Sequence, residues 1–160
     1  MQFNSQKFLL RTAFITTCFL LVSYAIGMMT RSNMGWYDSL EKPSLTPPDI
    51  TFPIVWSCLY ILLSFAASML WGKRHGDKGH KHLVTFAIYM MLNWAWSFIF
   101  FGAHQVFLGF IWILMTLVPL LYLLGSLYKN QQKIEICLIV PTFFWSLFAA
   151  YLNGYIYVAG

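Results

Sequence analysis

The sequence predicts an all-α membrane protein, a bundle of five transmembrane helices with one long, partly structured loop after the first. Three observations predict it. The chain is 59% apolar and 9% charged, too little polar surface to clothe a soluble domain. Five apolar stretches, about 8–29, 52–71, 83–101, 107–128 and 134–158, are long enough at about 1.5 Å per residue to reach roughly the 30 Å of a hydrocarbon core. The basic residues also alternate between sides. Lys7, Arg11, Lys73, Arg74, Lys78, Lys81, Lys129 and Lys133 fall with the N-terminus and the second and fourth connections, leaving Arg31 and Lys42 opposite. The positive-inside rule then places the N-terminus in the cytoplasm and the C-terminus and first loop outside the cell membrane. Residues 1–160 leave room for one such domain, and the net charge of +5 serves topology and anionic headgroups rather than nucleic acid.

The first span, preceded by Lys7 and Arg11 and ending near Ala25-Ile26-Gly27, has the outline of a signal peptide. Its apolar run is longer than a signal's, so it is expected to stay as a helix. The loop at 30–51 spends aromatics, Trp36 and Tyr37, and stiffens with Pro43, Pro47 and Pro48. A flexible linker would not, and the loop is expected to fold back as a lid, with Trp36, Tyr37 and Leu40 on one side of a short helical turn, or to anchor at the headgroups through Trp36 and Tyr37, and one loop can do both. In the second span Trp56 and Tyr60 lie one turn apart, while Ser64-x-x-x-Ser68, like Gly102 or Ala103 later, is small enough for close helix contact. The third holds Asn93, Trp96, Ser97 and Phe100 at i, i+3, i+4 and i+7, which share one face. Pro119 and Pro141 locally weaken the fourth and fifth spans, and the fifth aligns Trp145, Phe148, Ala149 and Leu152.

An asparagine inside a span is costly unless something takes its hydrogen bonds. Measured from the outer surface, Trp56 lies about 6 Å deep, Trp96 about 7 Å, Asn93 about 12 Å, Ala149 about 14 Å and Trp145 about 20 Å. These positions converge in the outer half, beneath the Trp36 loop. Any single tryptophan is ordinary packing. Several around one asparagine under a structured loop point to a site for an apolar small molecule.

Other classes lack their parts. No Asp, Glu, Lys or Arg falls at mid-membrane for ion coupling, and Arg11 and Glu135 are expected to snorkel from span ends. Passive movement of a hydrophobic ligand is the alternative reading. His75, His80 and His82 fall in the inner loop and His104 in an outer turn, so no metal site and no axially ligated haem is expected. Cys18, Cys58 and Cys137 read as small apolar packing residues. No Ser-His-Asp set, carboxylate pair or phosphate loop is present.

Three motifs carry a resemblance: Trp36-Tyr37-x-x-Leu40-x-Lys42-Pro43-x-x-x-Pro47-Pro48 running on to Trp56, Asn93-x-x-Trp96-Ser97-x-x-Phe100, and Trp145-x-x-Phe148-Ala149-x-Tyr151-Leu152-Asn153. The chain resembles the TspO family, the translocator or tryptophan-rich sensory proteins, also called peripheral-type benzodiazepine receptors. The resemblance implies a five-helix homodimer that binds porphyrins such as protoporphyrin IX, and benzodiazepine or isoquinoline drugs, in an outer-half pocket. It implies a lining of Tyr37, Trp56, Tyr60, Asn93, Trp96, Ser97, Trp145, Phe148 and Ala149, with Trp36 in the lid. Trp36 and Trp145 match tryptophans linked in some bacterial members to light-dependent porphyrin breakdown, so whether this chain is an enzyme stays open. No obligatory cofactor is implied, porphyrin being ligand or substrate. A porphyrin's propionates are expected near the outer mouth, within reach of Lys42 or Arg31. The late cholesterol pattern of animal members needs a Lys or Arg after the tyrosine, absent after Tyr151 here. That favours a bacterial plasma-membrane protein without sterol.

Overall fold

The computed structural model describes residues 5–160. Six helices and one π-helical turn make it up: α1 (Ser5–Ser32), α2 (Met34–Asp38), α3 (Thr51–Gly72), α4 (Asp77–Ser97) continuing through the wide turn Phe98–Gly102, α5 (Val106–Lys129) and α6 (Lys133–Ala159). All but α2 are long and apolar enough to cross a membrane, so the chain is an all-α, five-span membrane protein.

The helices outrun the apolar stretches that announced them. Hydropathy stops where side chains meet headgroups and water, but the backbone ladder has no reason to stop there. α4 starts at Asp77, whose carboxylate suits the positive end of the helix, after Gly76 enters in extended geometry. The second connection shrinks to 73–76, which corrects the placing of His80 and His82 in a loop. Both are helical, and His82 is 1% exposed with its Nε2 2.7 Å from Ser126 Oγ of α5. Glu135 is likewise corrected. It does not snorkel: it is 2% exposed and ion-paired with Lys73, tying the start of α6 to the end of α3.

At the other side, α1 continues to Ser32 and α2 follows almost at once, so the first connection is helical where it carries Trp36 and Tyr37. Pro53 falls in the first turn of α3, where its missing N–H has no intrahelical acceptor to lose. The turns before α5 and α6 each use a residue of positive φ, His104 at 55° and Gln131 at 56°.

α3, α4, α5 and α6 close a ring in which each packs on the next, and α1 lies outside it against α3. Leu63, Leu70, Tyr89, Leu120, Leu123, Leu127 and Ile139 fill the ring, all fully buried. Ser64 and Ser68 are fully buried within the chain, and Ser64 Oγ hydrogen-bonds Thr16 Oγ1 of α1. The small side chain of Ser64 therefore serves α1–α3 contact. Cys58 and Cys137 face outward instead of packing inside. α1 buries only Thr12, so its second half is free to wall a space rather than fill one.

Candidate functional site

A cavity of about 1210 Å³ opens where that half of α1 stands off the ring. It exceeds the usual several hundred Å³ of a drug-sized site. Helix α3 contributes Phe52, Trp56 and Tyr60, one turn apart on one face. Trp56 stacks on Tyr60 at 5.4 Å and 28°. Helix α4 presents Asn93, Trp96 and Ser97, and the start of its wide turn adds Phe100. Trp96 lies parallel to Phe100 at 5.2 Å and 13°.

Asn93 has its partner across the cavity wall. Its Nδ2–H donates to Tyr60 Oη at 3.3 Å. Tyr60 is 4% exposed, further held edge-on by Phe19 of α1 at 6.2 Å. The carboxamide therefore joins α4 to α3 at mid-wall.

The wide turn comes from the N–H of Ala103 reaching back to Phe98 O at 2.8 Å, one residue further than an α-helical bond. It sets Phe100 and Phe101 at 5.0 Å, ring edge to face, and both touch Trp36 and Tyr37 of α2. Tyr37 is 5% exposed and lines the cavity. Burial first, then the charges of Asp49 and Asp38, push its phenol up to about 12, so it stays a neutral donor. Lys42 does not reach the cavity. Its Nζ sits 4.4 Å above the Tyr37 ring, donates to Tyr37 O at 3.2 Å and pairs with Asp38 at 3.1 Å. Arg31, at the end of α1, and Asp49, just before α3, do line it.

Trp36 lies outside the cavity. It stacks on the His104 imidazole at 4.3 Å and 13°, and His104 Nε2 is 2.8 Å from Asn33 Oδ1. α2 is thus fastened to the turn between α4 and α5. On α6, Trp145 and Ala149 line the cavity, with Phe52 meeting Trp145 at 5.9 Å. Phe148 does not line it: it stands beside Trp145 at 5.6 Å and against Tyr151 at 6.3 Å. Of the residues singled out from sequence, Tyr37, Trp56, Tyr60, Asn93, Trp96, Ser97, Trp145 and Ala149 come together around one space, and Trp36 and Phe148 stand behind it.

Sequence reasoning missed the α1 wall, Leu20, Ser23, Gly27 and Thr30, and the polar floor of Thr116, Ser146 and Asn153. The floor left a trace. Glu135, Thr142, Ser146 and Asn153 follow a seven-, four-, seven-residue spacing, one buried stripe down α6. α1 left none, because its polar residues are small and scattered and mark out no single face. Among the described residues no group of three or more His, Cys, Asp or Glu is placed to hold a metal.

Comparison with known proteins gives a family model described as the TspO/MBR family, matching residues 14–158. A tryptophan-rich protein TspO of Chlorobaculum tepidum is 35% identical over 144 residues, covering 84% of this chain and 85% of the relative. The protein of the same name from Bacillus cereus is 31% identical over 135 residues, with 84% and 86% covered. The translocator protein of Sus scrofa is 32% identical over 150 residues, with 84% and 83% covered.

Proposed function

This chain belongs to the TspO/MBR family, and from that premise we propose that it is a membrane receptor for a metal-free porphyrin of the protoporphyrin IX type. The observation that carries the reading is the wall of the cavity. Two stacked aromatic pairs, Trp56 with Tyr60 and Trp96 with Phe100, border a space of about 1210 Å³ together with Trp145. A flat tetrapyrrole gains from such rings by stacking, about 0.5–1.5 kcal/mol per contact beyond burial. The same wall suits isoquinoline and benzodiazepine-type aromatics. Arg31, exposed and with no partner among the described residues, is the cation at the mouth that a propionate would meet, since Lys42 is occupied by Tyr37 and Asp38.

The proposal includes a homodimer in a bacterial plasma membrane with the N-terminus in the cytoplasm, supported by the distribution of Lys and Arg. Titration of the purified protein with protoporphyrin IX, read by tryptophan quenching and the Soret band, tests the site. Trp56→Ala or Trp96→Ala weakens binding about threefold to tenfold, whereas Trp71→Ala, at the far end of α3, leaves it unchanged. Arg31→Glu weakens binding at low salt and Lys42→Glu does not. Equal affinity in all five variants would sink the assignment. Light-dependent breakdown is a second reading, favoured by the place of Trp145 on the cavity wall. Under illumination with porphyrin, Trp145→Phe then abolishes formation of a bilin-type product while Trp36→Phe retains most of it. Bleaching no faster than with an unrelated solubilised protein leaves a receptor only.

A further inference from the structure

Arg11 lies within α1, one of the apolar spans, and its guanidinium rests against the last turn of α3. A Cβ on Gly72 would stand 3.7 Å from Arg11 Nη2. Its Nε is buried without a hydrogen-bond partner, and among the described residues no protein acceptor reaches its remaining N–H groups. Its guanidinium stands over the Phe8 ring at 5.9 Å. Glu135, the buried carboxylate at this end of the bundle, is already held by Lys73. A guanidinium without an anion at the edge of a hydrocarbon layer is costly.

A second guanidinium faces the same corner. Arg74, two residues beyond Gly72, lies 4.6 Å above the Trp71 ring and donates one N–H to Trp71 O at 2.8 Å, and no other hydrogen bond of its guanidinium is formed among the described residues. Its charge acts on Arg11. The two cations repel one another unless something anionic sits with them. Around them the surface is apolar and exposed: Leu10, Phe65 and Trp71 are all open on the outside of the bundle.

We propose that Arg11 and Arg74 form a site for the phosphate of an anionic phospholipid in the leaflet on the N-terminal side, at the corner between α1 and α3. The planar fork of each guanidinium matches phosphate oxygens, and one phosphate relieves their mutual repulsion. A free phosphate ion has the same headgroup chemistry but would leave Leu10, Phe65 and Trp71 uncovered. A lipid covers them with its acyl chains. A zwitterionic lipid brings its own cation into a corner that already has two, so a net-negative headgroup is preferred.

The full-length protein is reconstituted in vesicles of about three parts phosphatidylcholine to one of phosphatidylglycerol, and spin-labelled forms of each lipid report the fraction held at the protein. The wild type holds phosphatidylglycerol in preference to phosphatidylcholine, and Arg11→Gln or Arg74→Gln lowers that preference about fivefold. Arg31→Gln, at the opposite end, does not change it. Absence of any preference in the wild type overturns the proposal without recourse to variants, which covers a variant that fails to fold. So does a preference unchanged in Arg11→Gln/Arg74→Gln. Loss of the wild-type preference on adding millimolar inorganic phosphate assigns the corner to a soluble anion and overturns the lipid.

Discussion

Replacing Asn93 by leucine removes the carboxamide that joins α4 to α3 and leaves the Tyr60 hydroxyl without its donor. Tyr60 is 4% exposed, and the Trp94 indole, though near, makes no hydrogen bond of its own. In a soluble core an orphaned buried hydroxyl costs about 1–3 kcal/mol. In a bilayer the unfolded reference also finds partners, and measured couplings across helices average about 0.6 kcal/mol with a maximum near 1.7. At 3.3 Å the contact is long for an N–H···O bond, which places its coupling in the lower half of that range. Asn93→Leu is therefore expected to cost about 1 kcal/mol, the orphaned hydroxyl adding to the contact itself. Tyr60→Phe costs less, because Asn93 is only half-buried and borders a cavity that water can enter. Introduced after Asn93→Leu, Tyr60→Phe removes the orphan and is neutral or stabilising. Reversible unfolding of the four proteins in bicelles measures the cycle. If Tyr60→Phe costs as much in the Asn93→Leu background as in the wild type, the two side chains do not interact.

The Lys73–Glu135 pair is asymmetric, 45% against 2% exposed, so its two halves differ when cut. Lys73→Met strands a buried carboxylate and costs about 3 kcal/mol or less, while Glu135→Gln frees a lysine into water and costs about 1 kcal/mol; thermal unfolding in detergent distinguishes them, and equal losses refute the asymmetry. Gly79→Ala would put a Cβ 1.9 Å from the Lys73 carbonyl oxygen, so the start of α4 must shift. Folded yield is expected to fall sharply, at a cost of about 1–3 kcal/mol or more, whereas Gly125→Ala, with nothing within 4 Å, should leave yield and melting temperature near wild type. His104→Ala removes the ring under Trp36 and the partner of Asn33, loosening α2 by about 0.5–1.5 kcal/mol. Limited proteolysis within 39–50 should then quicken, with Trp36→Ala giving the same effect and no larger one in combination.

The five spans were legible because a bilayer admits few structures and marks them by length and apolarity alone. Their ends were not. Asp77, His80 and His82 look like loop to a hydropathy reading, yet a helix meets no obstacle at the headgroups, and His82 turns back to Ser126 instead of leaving for water. Glu135 misleads in the same way. A carboxylate near a span end suggests snorkelling until Lys73, 62 residues earlier in the chain, supplies a partner that no local pattern reveals.

The cavity was legible to the extent that its walls depart from lipid-facing chemistry. Asn93 signalled itself by its cost, and spacing on one helix supplied Trp96, Ser97 and Phe100. Phe148 was grouped with the lining because it shares a helix face with Trp145 and Ala149 in sequence, and Trp36 was placed in the lid, but a ring can point to the next aromatic instead of the space. Trp36 turns to His104, held at φ 55° in a left-handed turn that histidine tolerates better than most residues, but the ring it offers lies 68 residues away in sequence, out of reach of a local pattern. The α1 wall marks the true limit. A periodic pattern needs two contrasting faces, and α1 meets lipid on one side and a largely apolar cavity on the other, while its polar residues are small and scattered, so no single face stands out. A wall facing an apolar ligand is therefore nearly silent in sequence wherever its other face meets lipid, and only its small hydroxyls, Ser23, Thr30 and Ser32, and Arg31 break the silence.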